Sequence, residues 1–443
     1  MASEPVILRN DAELHFSESF DQLRGFLPGD AKVEHRRANA IEYFRRTGLP
    51  HRRVEAWHYT DLRALLRKVP RIGIDSVDAT LARLLADDPL AHLGHARLVV
   101  ADGAYRPDLS EAKGLSGVEV ASLAEALKRG DARIGSLFHD NADATLALNT
   151  AFVIGGVLLR IDAGATVSRP IRIMHLQTAA EPQSANVRNV IDVGAAATVE
   201  IWESHGGVAG VGHHANVVTE FLVGGRAKVK AARLQSADLK AFHITSLFAS
   251  IADGASFDHA AVTIGAGLSR AQASFKLVGE GARLGLSGAT MLDGDQHADT
   301  AIVIEHAAPH TTSRVLYRSV ADGQSFGAFQ GKIIVAEGAQ KSDGKLGSKA
   351  LLLSDGAGFS AKPELEIYAD DVQCGHGSTT GKIDANHLFY LLSRGIPRAE
   401  AERLLVSGFL TEAIESLGDE RLLAALIPGV EAWLAARGQT GGG

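Results

Sequence analysis

Cys374 is the single cysteine of the 443-residue chain, and it stands two residues before His376 in the segment CGHGSTTG. In an extended strand, residues two apart point to the same face, roughly 7 Å apart along the chain. The thiol and the imidazole can therefore lean toward one external atom. A soft thiolate and an imidazole suit iron or zinc, but a stable four-coordinate site needs further donors from another chain or an incoming ligand.

The same residue types also have ordinary explanations. A lone cysteine often packs as a small buried hydrophobe, and the two residues taken alone favour that interpretation, with the histidine in a turn. A nucleophilic Cys–His dyad is disfavoured, because neighbours on one strand face rarely reach hydrogen-bonding distance and no third group orients them. His306 and His310, with Glu305 and His297, could gather around a metal, but we expect them in exposed polar ladders instead.

Sequence strings that resemble nucleotide and calcium sites fail on spacing. GAFQGKI (327–333) and GSTTGKI (377–383) end in Gly-Lys, but each loop is one residue short and Ile replaces the Ser or Thr that would hold Mg²⁺. DGDQHAD (293–299) begins like a calcium loop but lacks its glycine and its final glutamate. We therefore expect no nucleotide site in this chain.

Length and composition narrow the class of protein. A chain of 443 residues exceeds one ordinary compact core, so several domains or an elongated domain are expected. A single cysteine excludes an internal disulfide and a Cys₄ zinc or iron–sulfur site made by this chain alone, and it suits a reducing compartment. The sequence contains neither an export-signal pattern nor a long apolar run, which predicts a soluble, cytoplasmic protein. The 45 basic and 52 acidic residues are mixed along the chain, which predicts no nucleic-acid partner.

Residues 1–145 are predicted to be mainly helical, because apolar residues recur there at three- and four-residue spacing. Thr60 is a predicted N-cap for a helix that includes Leu62. Trp57 and Tyr59 are expected to anchor this segment to the next domain rather than to stack on a ligand.

Residues 146–380 are predicted to form a parallel β-helix. Short Val/Ile/Leu-rich runs alternate with glycine turns at Gly164, Gly194, Gly224, Gly254 and Gly281, spaced 30, 30, 30 and 27 residues apart. Such a period is typical of a solenoid, in which each coil buries its inner residues against the next. A β-sandwich would instead show hairpin turns every 8–12 residues.

Residues 381–443 are predicted to form a C-terminal helical domain. Asp384 is its predicted N-cap, and Gly395 followed by Pro397 predicts a helix stop and restart. This tail could cap the open end of the solenoid, or present its apolar face to a partner protein.

Three segments resemble the SufB/SufD family of iron–sulfur cluster assembly proteins. They are LPHRRVEAWHYTDL (49–62), HTTSRVLYRSVADGQSFGAFQGKIIVAEGAQKSDGKLGSKALLLSD (310–355) and KPELEIYADDVQCGHGSTTGKIDANHLFYLLSRGI (362–396). The strings C-G-H-G, K-P-E-L-E-I-Y-A-D-D and W-x-Y-T are most similar to the SufD branch. SufB-like chains place a scaffold cysteine near the position of Ser348 here. The resemblance implies a mainly β fold, a right-handed parallel β-helix flanked by N-terminal and C-terminal helical regions.

The resemblance also implies a function, that of a non-enzymatic scaffold subunit. It implies lateral pairing with SufB, docking of the ATPase SufC on the helices of residues 384–436, and an assembly of one SufB, two SufC and one SufD. Cys374 and His376 would face SufB and hold transient iron or a nascent cluster between the two proteins, His376 being the more important. No cofactor would be bound stably by this chain alone.

Other interpretations stay open at the level of sequence. A secreted-type carbohydrate-active enzyme also uses a β-helix, although the missing export signal argues against it. A SufB-like primary scaffold is disfavoured by the missing thiol near Ser348. The isolated chain could also form a homodimer, because an exposed sheet edge can pair with its own copy.

Overall fold

The computed structural model describes residues 9–73, 76–111, 113–131, 133, 135–137, 143–415 and 420–440. Those residues contain α-helices at both ends of the chain and a long series of strands between them. The helices are α1 (Asp11–Leu23), α2 (Ala31–Thr47), α3 (Leu62–Leu65), α4 (Asp78–Ala86), α5 (Leu123–Lys128), α6 (Ala144–Phe152), α7 (Ala385–Ser393), α8 (Arg398–Glu415) and α9 (Glu420–Thr440).

The strands alternate between two sheets that face each other. The strands are β1 (Ala96–Ala101), β2 (Ala104–Tyr105), β3 (Val118–Ser122), β4 (Val157–Ile161), β5 (Ile171–Gln177), β6 (Ser184–Val193), β7 (Thr198–Gly207), β8 (His214–Val223), β9 (Lys228–Gln235), β10 (Phe242–Ile251), β11 (Ser256–Ile264), β12 (Leu268–Leu277), β13 (Arg283–Leu292), β14 (His297–His306), β15 (Thr312–Ala321), β16 (Phe326–Val335), β17 (Asp343–Leu352), β18 (Gly358–Ile367) and β19 (Gln373–Gly381).

Each coil contributes one strand to each sheet, which makes the body of the molecule a parallel β-solenoid. One sheet has the order β19-β17-β15-β13-β11-β9-β7-β5-β1-β2, and the other β18-β16-β14-β12-β10-β8-β6-β4-β3. Pairing from β4 onward is parallel, and the register follows the coil period: Ser184 aligns with His214, and His214 with Phe242. The predicted mainly β solenoid with flanking helices is confirmed.

Glycine is required at the corners of the coils for two different reasons. Gly164, Gly254 and Gly281 have φ values of 72°, 61° and 69°, a left-handed conformation that strains residues with a Cβ. Gly194 instead lies close to the preceding coil, since a Cβ on it would stand 2.5 Å from the backbone nitrogen of Ala163. The glycine period in the sequence therefore reflects both turn geometry and close stacking of the coils.

The core lies between the two sheets, because alternate residues of each strand point inward. Val199 and Ile201 of β7 stack in register on Val229 and Ala231 of β9, and all four side chains are buried. Full burial of such an aliphatic side chain stabilises the fold by about 1.5–3 kcal/mol. This regular stacking fixes the position of every inward-facing residue, including the polar ones.

An N-terminal helical layer covers the outer face of the nine-stranded sheet. Phe16 contacts both Phe44 and Phe152, with ring-centroid distances of 5.7 Å and 6.1 Å. Their cluster includes Ile244 of β10 and Leu268 of β12. The helices and the sheet therefore share one apolar core at this face.

Trp57 anchors the N-terminal segment to the solenoid, as predicted. It is buried, its indole Nε1–H donates to Asp143 at 2.6 Å, and the guanidinium of Arg270 on β12 lies 4.6 Å from its ring. Tyr59 is half-buried and contacts His58 edge-on at 4.9 Å.

The predicted N-cap at Thr60 is wrong by one residue. Asp61 caps α3, with its side chain accepting from the backbone N–H of Ala64 at 3.0 Å. Thr60 is instead buried, and its hydroxyl donates to Asp299 of β14 at 2.7 Å. A tertiary contact with the solenoid therefore takes the hydroxyl that the sequence pattern assigned to a local cap.

The C-terminal helices α8 and α9 pack on the outer face of the ten-stranded sheet. Val406 and Leu410 of α8 and Val430 of α9 are buried in a cluster with Trp202 and Val262 of the sheet. Asp384 caps α7 as predicted, accepting from the backbone N–H groups at positions 386 and 387. Helices α8 and α9 thus cover the outer face of the ten-stranded sheet.

The predicted boundary at residue 146 falls within α6 (Ala144–Phe152), and the strands of the solenoid run from Val157 to Gly381. The earlier strand β1 also joins the ten-stranded sheet, beside β5. Among the described residues, no helix is both long and apolar enough to cross a lipid bilayer.

Candidate functional site

Cys374 and His376 lie on β19, the outermost strand of the ten-stranded sheet. Cys374 aligns with Gly344 of β17, and His376 aligns with Leu346. Because Leu346 belongs to the core between the sheets, both residues occupy inward-facing positions of the last coil. Strand alternation brings the thiol and the imidazole to one face, as the two-residue spacing predicted.

Cys374 is half-buried and packs against the solenoid core. A Cβ added to Gly344 would stand 3.5 Å from its Sγ, so the sulfur lies over a glycine of the preceding coil. The small residue beneath it leaves the thiol room that a larger side chain would occupy. One side of Cys374 therefore contacts the protein, while the other points toward the end of the solenoid.

His376 is exposed, although the equivalent position in the preceding coil belongs to the core. Leu346, its register partner, is 3% exposed. The difference arises because β19 pairs with β17 and, within the described chain, no further strand covers its other edge. An imidazole at this place can reach a ligand or protein that approaches the open end.

The open end also presents unpaired backbone and apolar surface. In the described part of the chain, β18 pairs with β16 alone, so both sheets end in an edge strand with free N–H and C=O groups. Ile367, at the end of β18, is 42% exposed, and the adjacent Tyr368 is 63% exposed. A strand from a second solenoid could continue either sheet and cover these side chains.

Ser348 occupies the position where the resemblance places the scaffold cysteine of SufB-like chains. It is buried on β17, aligned with Ser378 of β19, and neither Oγ has a hydrogen-bond partner among the described residues. A hydroxyl is a much poorer ligand for iron than a thiolate. On the inward face of β19, the donors suited to iron are therefore one thiol, from Cys374, and one imidazole, from His376.

The expectation of exposed polar ladders near residue 300 is wrong for His297 and His306, whereas His310 is exposed and Glu305 pairs with Lys276 of the neighbouring coil at 2.8 Å. His306 is fully buried, with Nδ1 2.7 Å from the hydroxyl of Thr311 and Nε2 2.9 Å from that of Ser313. His297 lies at the opposite end of β14, 2.9 Å from the hydroxyl of Thr60. Both imidazoles serve buried hydrogen-bond networks.

A second exposed surface lies on α7, the first helix after the solenoid. Phe389 and Tyr390 are 71% and 56% exposed, and the guanidinium of Arg394 lies 5.1 Å from the ring of Tyr390. Exposed neighbouring aromatic side chains beside an arginine are typical of protein interfaces. The tail therefore presents apolar surface to solvent while α8 and α9 hold it to the sheet.

Sequence patterns missed a polar cluster inside the solenoid. His175, Glu203 and His205 are inward-facing residues of β5 and β7, and their ligand atoms lie within 4.8 Å of one another. A signal was present: His175 and His205 are 30 residues apart, which is one coil period, and Glu203 precedes His205 by two. Aligning successive repeats of the sequence would have placed His175 and His205 at the same position of adjacent coils.

Comparison with known proteins gives matches to two family models that together cover most of the chain. Residues 12–173 match the SufBD protein N-terminal region, and residues 175–409 match the family described as SUF system FeS cluster assembly, SufBD core domain. The iron–sulfur cluster assembly protein SufD of Escherichia coli is 30% identical over 386 residues, covering 86% of this chain and 88% of that protein. SufBD family proteins of Synechocystis and Mycobacterium tuberculosis are each 28% identical, over 405 and 400 residues, covering 88% and 85% of this chain and 88% of each relative.

Proposed function

Because the chain belongs to the SufBD family of iron–sulfur cluster assembly proteins, we propose that it is the SufD-type subunit of a SUF complex. In this role it is a non-enzymatic scaffold that pairs with SufB through its last coil. The carbohydrate-active alternative has no support from the family match.

The open end of the solenoid is the observation that carries the proposal. Two edge strands, β18 and β19, end the two facing sheets with unpaired backbone groups, and Ile367 of β18 exposes apolar surface there. Isolated edges of this kind favour strand pairing with another chain. A homologous solenoid has the spacing needed to continue both sheets at once.

At such a junction, His376 and Cys374 supply the donors of this chain. The imidazole is exposed at the edge, whereas the thiol is half-buried behind it. We therefore assign His376 the main role toward iron or a nascent cluster, and Cys374 an auxiliary one. The remaining donors come from SufB, because two ligands do not complete a four-coordinate site.

The C-terminal helices supply a separate docking surface for the ATPase SufC. Phe389 and Tyr390 are exposed on α7, while α8 and α9 are fixed to the sheet by buried contacts. The ion pair between Arg318 of β15 and Glu412 of α8, at 2.8 Å, adds to that attachment. Motion of a bound ATPase would therefore pass directly to the solenoid.

Copurification tests the proposal. The chain is co-expressed with SufB and SufC, isolated through a tag on this chain alone, and analysed for its partners, iron and acid-labile sulfide. We expect both partners in a stoichiometric complex. Recovery of this chain without SufB, under conditions where SufB and SufC are folded and abundant, would refute the assignment. In the absence of SufB, a homodimer through the same edge is the expected state.

A further inference from the structure

Polar side chains replace the aliphatic core at one level of the solenoid interior. His175 of β5, His205 of β7 and Gln235 of β9 occupy the same register position in three successive coils. His243 of β10 reaches them from the opposite sheet, with its ring centroid 4.7 Å from that of His205. All four side chains are buried, with His205 only 3% exposed.

The geometry brings a carboxylate to the two stacked imidazoles. The rings of His175 and His205 are nearly parallel, with centroids 4.6 Å apart. Glu203 places Oε2 3.6 Å from Nε2 of His205, and its Oε1 accepts a hydrogen bond from Thr219 at 2.6 Å. One ligand atom from each of His175, Glu203 and His205 thus lies within 4.8 Å of the others.

The cluster holds an unusual number of buried polar atoms without partners. Among the described residues, no hydrogen-bond partner is available to Nδ1 of His175, either ring nitrogen of His205 or His243, or either amide atom of Gln235. Buried polar atoms are nearly always satisfied by protein groups, ordered water or an ion. Seven such atoms at one place point to an occupant that the protein does not supply.

Space for an occupant lies beside the rings. A cavity of about 20 Å³ is lined by His175, His205, His243 and Gln177 together with apolar residues, and Glu203 approaches His205 from outside that lining. About one water-sized sphere fits such a volume.

We propose that His175, Glu203 and His205 bind one divalent transition-metal ion of the zinc class inside the solenoid, with His243 placed as a fourth donor. Two imidazoles and one carboxylate form a ligand set used for zinc and for non-haem iron. Donors bonded to one such ion lie roughly 3.3 Å apart, so the ligand atoms must approach one another by up to about 1.5 Å, and the two parallel rings must tilt toward the ion.

This site is separate from the donors at the open end. Seven strand spacings divide β5 from β19 in the ten-stranded sheet, which corresponds to roughly 34 Å. An ion here therefore cannot take part in the SufB junction. Its expected effect is on the solenoid itself, since an ion that binds only the folded state stabilises it.

The test uses an untagged, chelator-treated chain carrying Cys374→Ser and His376→Ala, so that the terminal coil contributes no donors. Co²⁺ is titrated, with visible absorption and native mass spectrometry as readouts. We expect one Co²⁺ per chain, displacement by Zn²⁺ and a rise in Tm. Absence of stoichiometric binding would overturn the proposal, whatever the outcome of the SufB experiment.

Three further variants locate the ion. Glu203→Gln keeps the shape and the acceptor for Thr219, and it is expected to weaken Co²⁺ binding at least ten-fold. His205→Gln is expected to abolish binding. His95→Gln is the matched control, because His95 is also buried with an unpartnered Nδ1 but packs on Trp202 outside the cluster. Unchanged affinity in Glu203→Gln contradicts the assignment, even if His205→Gln fails to fold.

Discussion

His376 of β19 aligns with Leu346 of β17, yet the imidazole is exposed and the leucine is 3% exposed. The two residues occupy equivalent inward positions in consecutive coils. His376 is exposed and Leu346 is buried because, in the described chain, no further coil covers β19. A partner that extends the solenoid would therefore meet the imidazole directly, and it would cover the unpaired edges at the same time.

The first prediction concerns that edge. Ile367→Lys places a charge at the end of β18, where the side chain is already 42% exposed, so the isolated chain should lose little stability. Burying an unpaired ammonium at a strand junction is costly, and we expect SufB binding to weaken at least ten-fold, about 1.4 kcal/mol. Biolayer interferometry with immobilised SufB measures the change.

Val303→Lys is the matched control for Ile367→Lys. Val303 is also β-branched and 36% exposed, but its strand, β14, is paired on both sides. Its substitution should leave SufB binding unchanged. Equal loss in both variants would indicate that the edge of β18 has no special part in pairing.

The second prediction concerns the exposed aromatic surface of α7. Phe389→Asp should reduce SufC binding by about ten-fold or more, because large aromatic side chains dominate interface energies. Phe26→Asp controls for the loss of an exposed ring, since Phe26 is 83% exposed in the N-terminal layer. Isothermal titration with SufC compares the two. If Phe26→Asp has the larger effect, the docking surface is not on α7.

The third prediction contrasts a buried ion pair with an exposed one. Asp299 pairs with Arg270, and both side chains are almost fully buried. Removing the carboxylate leaves a buried guanidinium unpaired, so Asp299→Ala should lower the free energy of unfolding by about 3–5 kcal/mol. Urea denaturation measures this quantity.

Asp355→Ala provides the exposed comparison. Asp355 pairs with Lys382 at 2.7 Å, but these side chains are 92% and 72% exposed. Exposed pairs contribute little, so the free energy of unfolding of Asp355→Ala should stay close to that of the unchanged chain. Similar losses in the two variants would contradict the prediction that the buried pair contributes far more to stability than the exposed one.

The fourth prediction concerns acid stability. Burial lowers the pKa of His306 from 6.5 to about 4, partly offset by the charge of Asp343. Between these values the unfolded chain binds more protons than the folded one, so stability falls as pH decreases from about 6.5 to about 4. His306→Gln removes this group, and its free energy of unfolding should depend less steeply on pH in that window.

Urea denaturation at several pH values measures how steeply the free energy of unfolding depends on pH in the unchanged chain and in His306→Gln. Other buried histidines also contribute to the slope, and comparing the two proteins isolates the part due to His306. The variant should be less stable at pH 7, because two hydrogen bonds to hydroxyls are altered. Parallel curves for the two proteins would contradict the prediction.

Local patterns in the sequence were enough to predict the solenoid and the placement of its terminal pair. The glycine period follows from corner geometry, as at Gly164 and Gly254, and the alternation of a strand places Cys374 and His376 on one face. The N-cap at Asp384 was predictable for the same reason, since its partners are the next residues of the chain.

Features that depend on distant contacts were not predictable in this way. Thr60 bonds to Asp299, 239 residues away, and this tertiary contact overrides its local capping preference. His306 faces inward because of its strand register, which no short polar pattern reveals. Exposure of His376 likewise depends on the number of coils that follow it, and only the assembled fold shows that number.

Iron retention by the SUF complex tests the central claim most directly. The chain, with His376→Ala or unchanged, is co-expressed with SufB and SufC, and iron and sulfide are measured per complex. His35→Ala, an exposed histidine on α2, is the control. We predict that His376→Ala still assembles but retains less than about half of the iron and sulfide, while His35→Ala retains all of it. An intact complex of His376→Ala with full iron and sulfide would contradict the account.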